Sequence, residues 1–205
     1  ALVCMKHVGM NVAADPFVNS AMTGVNGGLV VVAADDPSMH SSQNEQDSRF
    51  YGKFAMMPIF EPSSQQEAYE MTRAAFELSE AVKLPVLMRV TTRMAHSRAV
   101  VEVTETPRKQ NEINRPEDVR TWILLPAFAK RRYVQLLAQQ DDLMKASLES
   151  KYNFYRKGSN PEKGVIATGI AYNYYMENVA GAEARSVRKI SQYPLPLSLI
   201  EKLVE

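Results

Sequence analysis

Cysteine is almost absent from this 205-residue chain, whose single cysteine is Cys4. One cysteine excludes a disulfide within the chain, and it excludes a zinc or iron–sulfur site ligated by cysteines of this chain alone. Such sparing use of cysteine is typical of the cytoplasm, which is the localisation that we predict. Cys4 itself lies in the apolar stretch ALVCM, and we expect it to pack as a small core residue.

Long apolar runs and a large net charge are absent as well. The longest purely apolar run covers residues 29–34, far short of the ~20 residues that span a bilayer. A formal net charge of +1 gives no electrostatic reason to expect binding to nucleic acid or to a membrane surface, and we predict neither partner. The chain opens inside a strand-like segment rather than on a signal peptide, and we interpret it as an excerpt of a longer protein.

Common signatures of phosphate and metal binding are also missing. The sequence contains neither GxGxxG nor the phosphate-binding loop pattern. Its three histidines, His7, His40 and His96, share no metal-ligand spacing, so we predict no transition-metal site. The basic triplet KRR at residues 130–132 is too narrow for a nucleic-acid footprint, and we interpret it as a solvated helix face.

What the sequence does contain is an alternation of strand-like and helix-like segments. ALVCMKHVG is typical of a short buried strand that ends at Gly9, and Asn11 is a plausible cap for a following helix. LVVVAAD, at residues 29–35, is a β-branched run of the kind found where both faces of a sheet are covered. PVLMRVTTR, at residues 85–93, predicts a further strand.

The clearest helix lies between the last two of these strands. It begins with a capping-box pattern in which Ser63 or Ser64 precedes Gln66 or Glu67 by three residues. Strands that alternate with helices predict an α/β fold with a parallel sheet and right-handed crossovers. The apolar stripe of the helix consists of Ala68, Met71, Ala75, Leu78 and Val82.

The character of the chain changes after residue 98. Residues 99–122 are charged and interrupted by prolines, which indicates a linker, and residues 128–155 follow with a helical pattern. GVIATG and ARSVRKIS then restart the strand and helix alternation, with a helix from Ile170 between them. We predict an incomplete first domain at residues 1–98, a linker with a helical segment at 99–160, and the start of a second α/β unit at 161–205.

Three polar segments follow predicted strands, at residues 7–11, 35–49 and 91–97. In open parallel sheets, ligands bind outside the carboxyl ends of the strands, so each segment is a candidate wall of one site. Arg49 is the strongest candidate, because a guanidinium offers a fork of donors that matches a carboxylate or a phosphate. The alternative is that Arg49 pairs with Glu45 or Asp47 and only pins the loop.

Two residues of the first segment have alternatives of their own. His7 could hold or exchange a proton near neutral pH, or it could simply be a strand-end histidine bonded to the main chain. Gly9 would allow the main chain to approach a ligand closely.

The most specific stretches of the chain are KHVGMNVAADP and DDPSMHSSQNEQDSR. With the residues around them, they resemble the pyrimidine-type thiamine diphosphate-binding domain of the alpha subunit of indolepyruvate:ferredoxin oxidoreductases. GVIATGIAYNYYME and ISQYPLPLSLIEKL are similar to the beginning of the transketolase-C-like domain of that subunit. The resemblance extends along essentially the whole chain.

This resemblance implies an enzyme that oxidatively decarboxylates arylpyruvates to aryl-acetyl-coenzyme A. It further implies thiamine diphosphate with Mg²⁺, iron–sulfur clusters, coenzyme A, a beta subunit, ferredoxin as electron acceptor, and an oligomer. By resemblance, Arg49 would grip the 2-oxoacid carboxylate, His7, Gly9, Met10 and Asn11 would lie beside the cofactor, and Thr92 and His96 would lie near the substrate.

Parts of the family pattern are missing from this chain. The glutamate that activates the cofactor cannot be assigned, and neither the GDG motif for the diphosphate and Mg²⁺ nor the cysteine-rich cluster motifs are found. We therefore expect the chain to be inactive alone and to supply one wall of a site.

Two alternatives share parts of this interpretation. The first is a pyruvate or other 2-oxoacid:ferredoxin oxidoreductase, and the second is a non-catalytic α/β module whose loops bind a partner. An indole side chain would distinguish the first alternative, because it needs a broad apolar slot. The apolar residues that could line such a slot could equally well be packed in the core. The candidates for lining such a slot are Met10, Phe50, Tyr51 and Met56.

Overall fold

A computed structural model describes residues 1–104, 107, 112, 117–179 and 184–204. Ten residues of the predicted linker, at 105–106, 108–111 and 113–116, therefore lie outside the described residues. The strands are β1 (Leu2–Lys6), β2 (Val30–Asp35), β3 (Ile59–Phe60), β4 (Val86–Thr91), β5 (Tyr155–Arg156), β6 (Asn160–Thr168), β7 (Arg185–Ile190) and β8 (Gln192–Tyr193). The α-helices are α1 (His7–Val12), α2 (Ala14–Thr23), α3 (Arg49–Phe54), α4 (Gln65–Val82), α5 (Thr92–His96), α6 (Pro126–Ala138), α7 (Gln140–Leu148), α8 (Ala171–Asn178) and α9 (Leu197–Val204).

The larger of two sheets has the strand order β1-β2-β4-β3-β8. Its first four strands are parallel, and only β8 runs antiparallel, against β3. The predicted α/β fold with a mostly parallel sheet is therefore confirmed. Because parallel strands point the same way, the carboxyl ends of β1, β2, β4 and β3 share one edge of this sheet.

The centre of the larger sheet forms where the sequence pattern is most apolar. β2 lies between β1 and β4, with Val30 opposite Val86, and both valines are fully buried. α4 packs on this sheet through Met71 and Ala75, which are also fully buried. Covering both faces of a β-branched strand in this way removes its apolar side chains from water.

The start of α4 has the first bond of the predicted capping box, with Ser64 as the N-cap, whereas the return bond from Glu67 reaches the residue before the cap. The Ser64 hydroxyl accepts a hydrogen bond from the main-chain N–H of Glu67 at 3.2 Å. The Glu67 carboxylate in turn accepts from the main-chain N–H of Ser63 at 2.8 Å. Helix-start N–H groups have no partner within the helix, so these two bonds from Glu67 to Ser63 and Ser64 fix where α4 begins.

The first strand is exposed rather than buried, contrary to our prediction. β1 lies at the edge of the sheet, where Leu2 is 52% exposed, and Cys4 is exposed as well. The prediction that Cys4 packs in the core is therefore wrong. An apolar sequence does not distinguish an edge strand from a central one, because the difference lies in which strands pair beside it.

The boundary after β1 also differs from the prediction. The strand ends at Lys6 and α1 begins at His7, so Gly9 and Asn11 both lie inside a helix. Asn11 is not a helix cap, because α2 begins at Ala14 and its capping position is Ala13. His7, Gly9 and Asn11 interrupt the apolar pattern, so the apolar run that favours a strand ends at about Lys6.

The second sheet has the strand order β5-β7-β6, and β6 and β7 are parallel as predicted. After β7 the chain continues through Ser191 into β8, which belongs to the larger sheet. Asn153 holds this crossover: its side-chain oxygen accepts from the N–H groups of Ser191 and Gln192 at 2.7 and 2.9 Å. The division of the chain at residues 98 and 160 stays a proposal.

The predicted long helix at residues 128–155 is two helices, α6 and α7. Leu136 and Leu143 are buried, whereas Leu137 is 47% exposed. Lys130 and Arg131, the first two residues of the basic triplet, are exposed as expected. Arg132 differs, because its guanidinium donates to the carbonyl oxygens of Met22, at 3.1 Å, and Thr23 at the end of α2. A cation is favourable there because carbonyl groups accumulate at a helix C-terminus.

Candidate functional site

The three polar segments predicted to form a site do follow neighbouring strands. β1, β2 and β4 pair side by side and end at Lys6, Asp35 and Thr91. Residues 36–48 cross the carboxyl edge of the sheet and bond to the ends of β1 and β2 and to Thr92, which follows β4. Lys6 donates to the Ser41 carbonyl oxygen at 3.0 Å, so the loop is bonded to β1 as well as to β2, from which it leaves.

Asp36 organises the first half of this loop. Its buried carboxylate accepts from the main-chain N–H of Ser41 at 2.9 Å, the Ser42 hydroxyl at 2.5 Å and the Thr92 hydroxyl at 2.7 Å. The hydrogen bonds from Ser42, Ser41 and Thr92 lower the pKa of Asp36 well below its usual range, and they outweigh the effect of burial. The loop is therefore tied to the start of α5.

Asp35 fixes the second half of the loop and the start of α3. Its carboxylate accepts from the Ser48 hydroxyl at 2.5 Å and from the Ser48 N–H at 2.9 Å. The same carboxylate accepts from Nε of Arg89 at 2.5 Å. Ser48 directly precedes α3, so this buried bonding positions Arg49, the first residue of that helix.

The Arg49 guanidinium is held on two sides. Nε donates to both carboxylate oxygens of Asp47, at 2.9 and 3.0 Å, and Nη2 donates to Asp47 Oδ2 at 2.5 Å. Nη1 lies 3.4 Å from Glu61 Oε2 and donates to the Thr168 hydroxyl at 3.1 Å. The pairing of Arg49 with Asp47, one of our two predictions, is thus present. Glu45 instead accepts from the N–H of Ser38.

Behind Arg49 lies a buried network of opposite charges. Glu61 accepts from Arg89 Nη1 at 2.5 Å and from the Tyr193 hydroxyl at 2.8 Å. The pKa of Arg49 is raised, first by its hydrogen bond to Asp47 and then, against the effect of burial, by the charge of Glu61. Burial lowers the pKa of Arg89, but the charges of Glu61 and Asp35 outweigh it and the net shift is upward. Both guanidiniums therefore stay charged.

Arg49 also lines an open cleft of about 660 Å³. Its side chain is 31% exposed, so part of the guanidinium faces this space. Arg49 is thus paired with Asp47 and also lines the cleft. The other lining residues are mostly apolar and include Phe50, Met56, Met57, Ile59, Met144, Tyr193, Pro194, Leu195 and Leu197, with Asp47, Lys53, Gln140 and Thr168 as the polar ones.

The structure does not bring the other predicted catalytic and substrate residues to this cleft. His7 is fully buried, with Nε2 at 3.2 Å from the Asn44 carbonyl oxygen, while Nδ1 has no partner within the described ranges. Thr92 bonds to Asp36, and His96 is exposed at the end of α5. His7 and Thr92 thus contact the same loop as Arg49, but neither they nor His96 line the cleft.

The three residues proposed beside the cofactor lie in α1. A Cβ on Gly9 would come within 3.2 Å of the Met5 Cβ, so the glycine also serves close packing of α1 on β1. The Met10 side chain is fully buried in the core, which leaves only its main chain for a cofactor. Asn11 is exposed and accepts a hydrogen bond from the Tyr51 hydroxyl at 2.7 Å.

The residues proposed for an aromatic slot divide in the same way. Phe50, which is 70% exposed, and Met56 line the cleft beside Arg49. Met10 is a core residue and the hydroxyl of Tyr51 is directed to Asn11. Two of the four proposed slot residues, Phe50 and Met56, therefore line the cleft, whereas Met10 and Tyr51 do not.

Sequence reasoning missed the residues that hold Arg49. Arg89 carried a signal, since a charge inside the apolar strand PVLMRVTT must find a partner if it is buried. Glu61 follows the short strand β3 and gave no such signal. Thr168 and Tyr193 are 119 and 144 positions from Arg49, so only the folded structure brings them there.

The described parts of the chain contain neither a metal-binding cluster nor a helix that could span a membrane. There, no group of three or more histidine, cysteine, aspartate or glutamate side chains is arranged to hold a metal ion. Among the helices of those parts, none is long and apolar enough to cross a membrane.

A solved structure shows the same fold. It is a 2-oxoglutarate:ferredoxin oxidoreductase from Magnetococcus marinus with 2-oxoglutarate, coenzyme A and succinyl-CoA bound. It matches with a TM-score of 0.63 and 13% sequence identity, over 98% of this chain and 43% of that chain. No protein-family model matches the sequence.

Curated proteins are much more similar in sequence. The chain is 43% identical over 203 residues to indolepyruvate oxidoreductase subunit IorA of Methanothermobacter thermautotrophicus, covering 98% of the chain and 33% of that protein. Subunit IorA of Archaeoglobus fulgidus is 42% identical over 207 residues, with 100% of the chain and 33% of the relative covered. Along nearly its whole length the chain is therefore similar to indolepyruvate oxidoreductase subunits IorA, and it spans about a third of the length of these relatives.

Proposed function

We propose that this chain forms the carboxylate-holding wall of a 2-oxoacid site in an indolepyruvate:ferredoxin oxidoreductase. The observation that carries the proposal is Arg49, a charged guanidinium fixed at the rim of an apolar cleft. The similarity to IorA subunits supports indolepyruvate as the substrate class. The product is the corresponding aryl-acetyl-coenzyme A, and ferredoxin accepts the electrons.

The shape of the cleft favours an aromatic 2-oxoacid over pyruvate. Its volume of about 660 Å³ lies within the roughly 300–1,000 Å³ that small-molecule sites occupy. A pyruvate methyl group would leave most of the apolar lining in contact with water. An indole ring could instead pack on Phe50, Met56 and Met144 while its carboxylate reaches Arg49.

In this proposal Arg49 binds and orients the acid rather than breaking a bond. Its Nη1 is anchored on Glu61 and Thr168, so the guanidinium presents a fixed direction to the carboxylate. Fixing the reactant in one orientation lowers the entropy cost of reaching the transition state. The apolar lining also excludes water from the carboxylate, which strengthens its attraction to the charged guanidinium.

Thiamine diphosphate, when bound, would stabilise the carbanion left by decarboxylation. We assign neither its diphosphate nor Mg²⁺ to the residues of this chain, because the GDG motif that the resemblance implies is missing from the sequence. We assign to this chain at most the wall formed by His7 and residues 9–11 in α1. The diphosphate would be held by another part of the complete enzyme, as would the iron–sulfur clusters.

The same proposal includes the partners of the complete enzyme. The name subunit IorA of the relatives implies at least one further subunit, and we assign to it the role of the beta subunit. We further propose that the enzyme is cytoplasmic and oligomeric. His96 and Thr92 remain proposed substrate contacts. Since neither lines the cleft in this chain, they would contact the substrate only if another part of the complete enzyme closed the site beside them.

Replacing Arg49 in the complete enzyme tests the proposal. For Arg49→Ala, kcat/KM for indolepyruvate should fall roughly 30- to 1,000-fold, because about 2–4 kcal/mol of charged hydrogen bonding to the substrate is lost. Steady-state kinetics measure this ratio, and thiamine diphosphate affinity, measured by titration, should change little.

Arg120→Ala is the matched control. Arg120 forms the same type of paired contact with an aspartate two residues earlier, Asp118, but it is 65% exposed and outside the cleft. Its replacement should leave kcat/KM unchanged. If Arg49→Ala behaves like Arg120→Ala, Arg49 only pins the loop and the proposed role is wrong.

A further inference from the structure

We propose that Asp47 is an internal competitor for the substrate carboxylate, which holds the fork of Arg49 until a 2-oxoacid displaces it. This inference rests on the proposed function. It makes Asp47 a residue that sets the affinity of the enzyme for 2-oxoacids. Nothing in the sequence pattern distinguishes this role from that of a simple loop contact.

The geometry of the pair is the geometry expected of a bound carboxylate. Both oxygens of Asp47 face the Nε and Nη2 edge of Arg49, at distances between 2.5 and 3.0 Å. This edge forms two parallel hydrogen bonds to one carboxylate at a time. A substrate carboxylate therefore reaches the same edge only after Asp47 leaves it.

The rest of the site is built to stay in place during such an exchange. Arg49 Nη1 is bonded to Thr168 and Glu61 and does not depend on Asp47. Asp47 is 27% exposed, so it can turn toward water at little cost in solvation. Its Oδ1 also lies 3.5 Å from Nε of Arg89, which remains a partner for its charge.

The balance of charge indicates that the substrate carboxylate replaces the Asp47 carboxylate on Arg49 rather than binding in addition to it. Three carboxylates, of Asp35, Asp47 and Glu61, face the two guanidiniums of Arg49 and Arg89. A substrate carboxylate added to this group would be a fourth negative charge against two positive ones. Asp35 and Glu61 are 1% and 4% exposed and bind Arg89, so Asp47 is the carboxylate of the three that can withdraw.

The test compares Asp47→Asn with the unchanged complete enzyme. The asparagine keeps an oxygen for the main-chain N–H of Arg49, which Asp47 Oδ1 accepts at 3.0 Å, but it removes the competing charge. The probe is indole-3-lactate, which has a carboxylate but no ketone and so is not decarboxylated. Its dissociation constant, measured by calorimetry, should fall about 3- to 30-fold. KM for indolepyruvate should fall while kcat changes little.

Three comparisons make the result specific. Indole-3-ethanol, which has no carboxylate, should bind both proteins equally. Asp118→Asn, which removes the aspartate of the exposed Asp118 and Arg120 pair, should change neither affinity. Asp47→Ser, which also keeps an oxygen for the start of α3, should tighten indole-3-lactate in the same direction as Asp47→Asn.

Unchanged or weaker binding of indole-3-lactate by both Asp47 variants, with an unchanged unfolding midpoint, overturns the inference. Asp47 would then position Arg49 instead of competing for it. Failure of the proposed function is separable from this outcome. If Arg49→Ala binds indole-3-lactate as tightly as the unchanged enzyme, the carboxylate does not reach Arg49 at all.

Discussion

At the scale of single residues, the candidate site depends on charges that fix one another. Arg89 is buried between Asp35 and Glu61, and Glu61 in turn bonds to Arg49 and Tyr193. A buried ion pair adds little net stability, because removing two charges from water costs about as much as their attraction returns. Its effect is to fix geometry, and here the geometry that it fixes is the direction of the Arg49 guanidinium.

Tyr193 provides a pH-dependent test of this network. Burial, and then the negative charge of Glu61, raise the pKa of Tyr193 above its usual value of 10.0. Above about pH 10 the unfolded chain loses this proton before the native protein does, so the native protein binds more protons and its stability falls as the pH rises. Tyr193→Phe removes this contribution. Urea unfolding of the complete subunit should therefore show a shallower loss of stability above pH 10 for the variant.

Below that pH the variant has a different effect. Tyr193→Phe loses the 2.8 Å hydrogen bond to Glu61, which should cost about 1.5–3 kcal/mol near neutral pH. Tyr155→Phe removes a hydroxyl from a side chain that is 45% exposed, and it serves as the control. If the unfolding free energy falls equally steeply with pH above pH 10 for Tyr193→Phe and for the unchanged subunit, the buried network is contradicted.

At the scale of the elements, α3 connects the loop to the sheet. The helix follows Ser48, which is bonded to Asp35 at the end of β2, and it packs against β3 and β4 through Gly52. Gly52 is buried, and a Cβ there would come within 2.6 Å of Ile59 Cγ1 and 3.0 Å of Leu87 Cδ2. This close approach places the first residue of α3 above the carboxyl edge of the sheet.

Gly52→Ala should therefore disturb both stability and binding. The added methyl group overpacks a closed space, which should cost about 1–3 kcal/mol of unfolding free energy. It should also raise KM for indolepyruvate, because α3 carries Arg49. Chemical denaturation and steady-state kinetics of the complete enzyme measure the two effects.

Gly27→Ala is the control for this substitution, because a Cβ on Gly27 meets no atom within 4 Å. We expect that change to stay within about 0.5 kcal/mol of the unchanged protein. If both substitutions change the unfolding free energy equally, α3 has room for a methyl group at Gly52 and the close packing there is contradicted.

The elements also show what sequence alone predicts. β2, α4 and β4 were predictable because a β-branched run and a capping box are local signals. The exposure of β1 was not, because it depends on which strand pairs beside it. Arg49 was identifiable by its chemistry, but the residues that hold it, Thr168 and Tyr193, come from the far end of the chain. The sequence thus predicts the residue that faces the cleft but not the residues that hold it, because those residues reach Arg49 only through tertiary contacts.

At the scale of the whole molecule, the two sheets are joined around the same site. β8 pairs with β3, and Thr168 at the end of β6 bonds to Arg49. A second contact joins the sheets: Lys189 of β7 is fully buried and forms an ion pair with Glu67 of α4, with its Nζ 5.1 Å from the centre of the Tyr172 ring. Burial lowers the pKa of Lys189, and its pairing with Glu67 opposes that shift.

This arrangement makes the position of Arg49 depend on both sheets. Glu61 from the larger sheet and Thr168 from the smaller one bind the same Nη1 group. Gly169, which follows Thr168, has φ +48, and a Cβ there would come within 2.7 Å of the Glu61 carboxylate. Only a glycine allows the two sheets to approach this closely at that point.

The most direct test is a crystal structure of the complete enzyme with indole-3-lactate bound. We predict that the ligand carboxylate lies about 2.7–2.9 Å from Nε and Nη2 of Arg49, with Asp47 turned away and the indole ring against Phe50 and Met56. A ligand carboxylate bound elsewhere, with the Asp47 and Arg49 pair intact, would contradict the central claim.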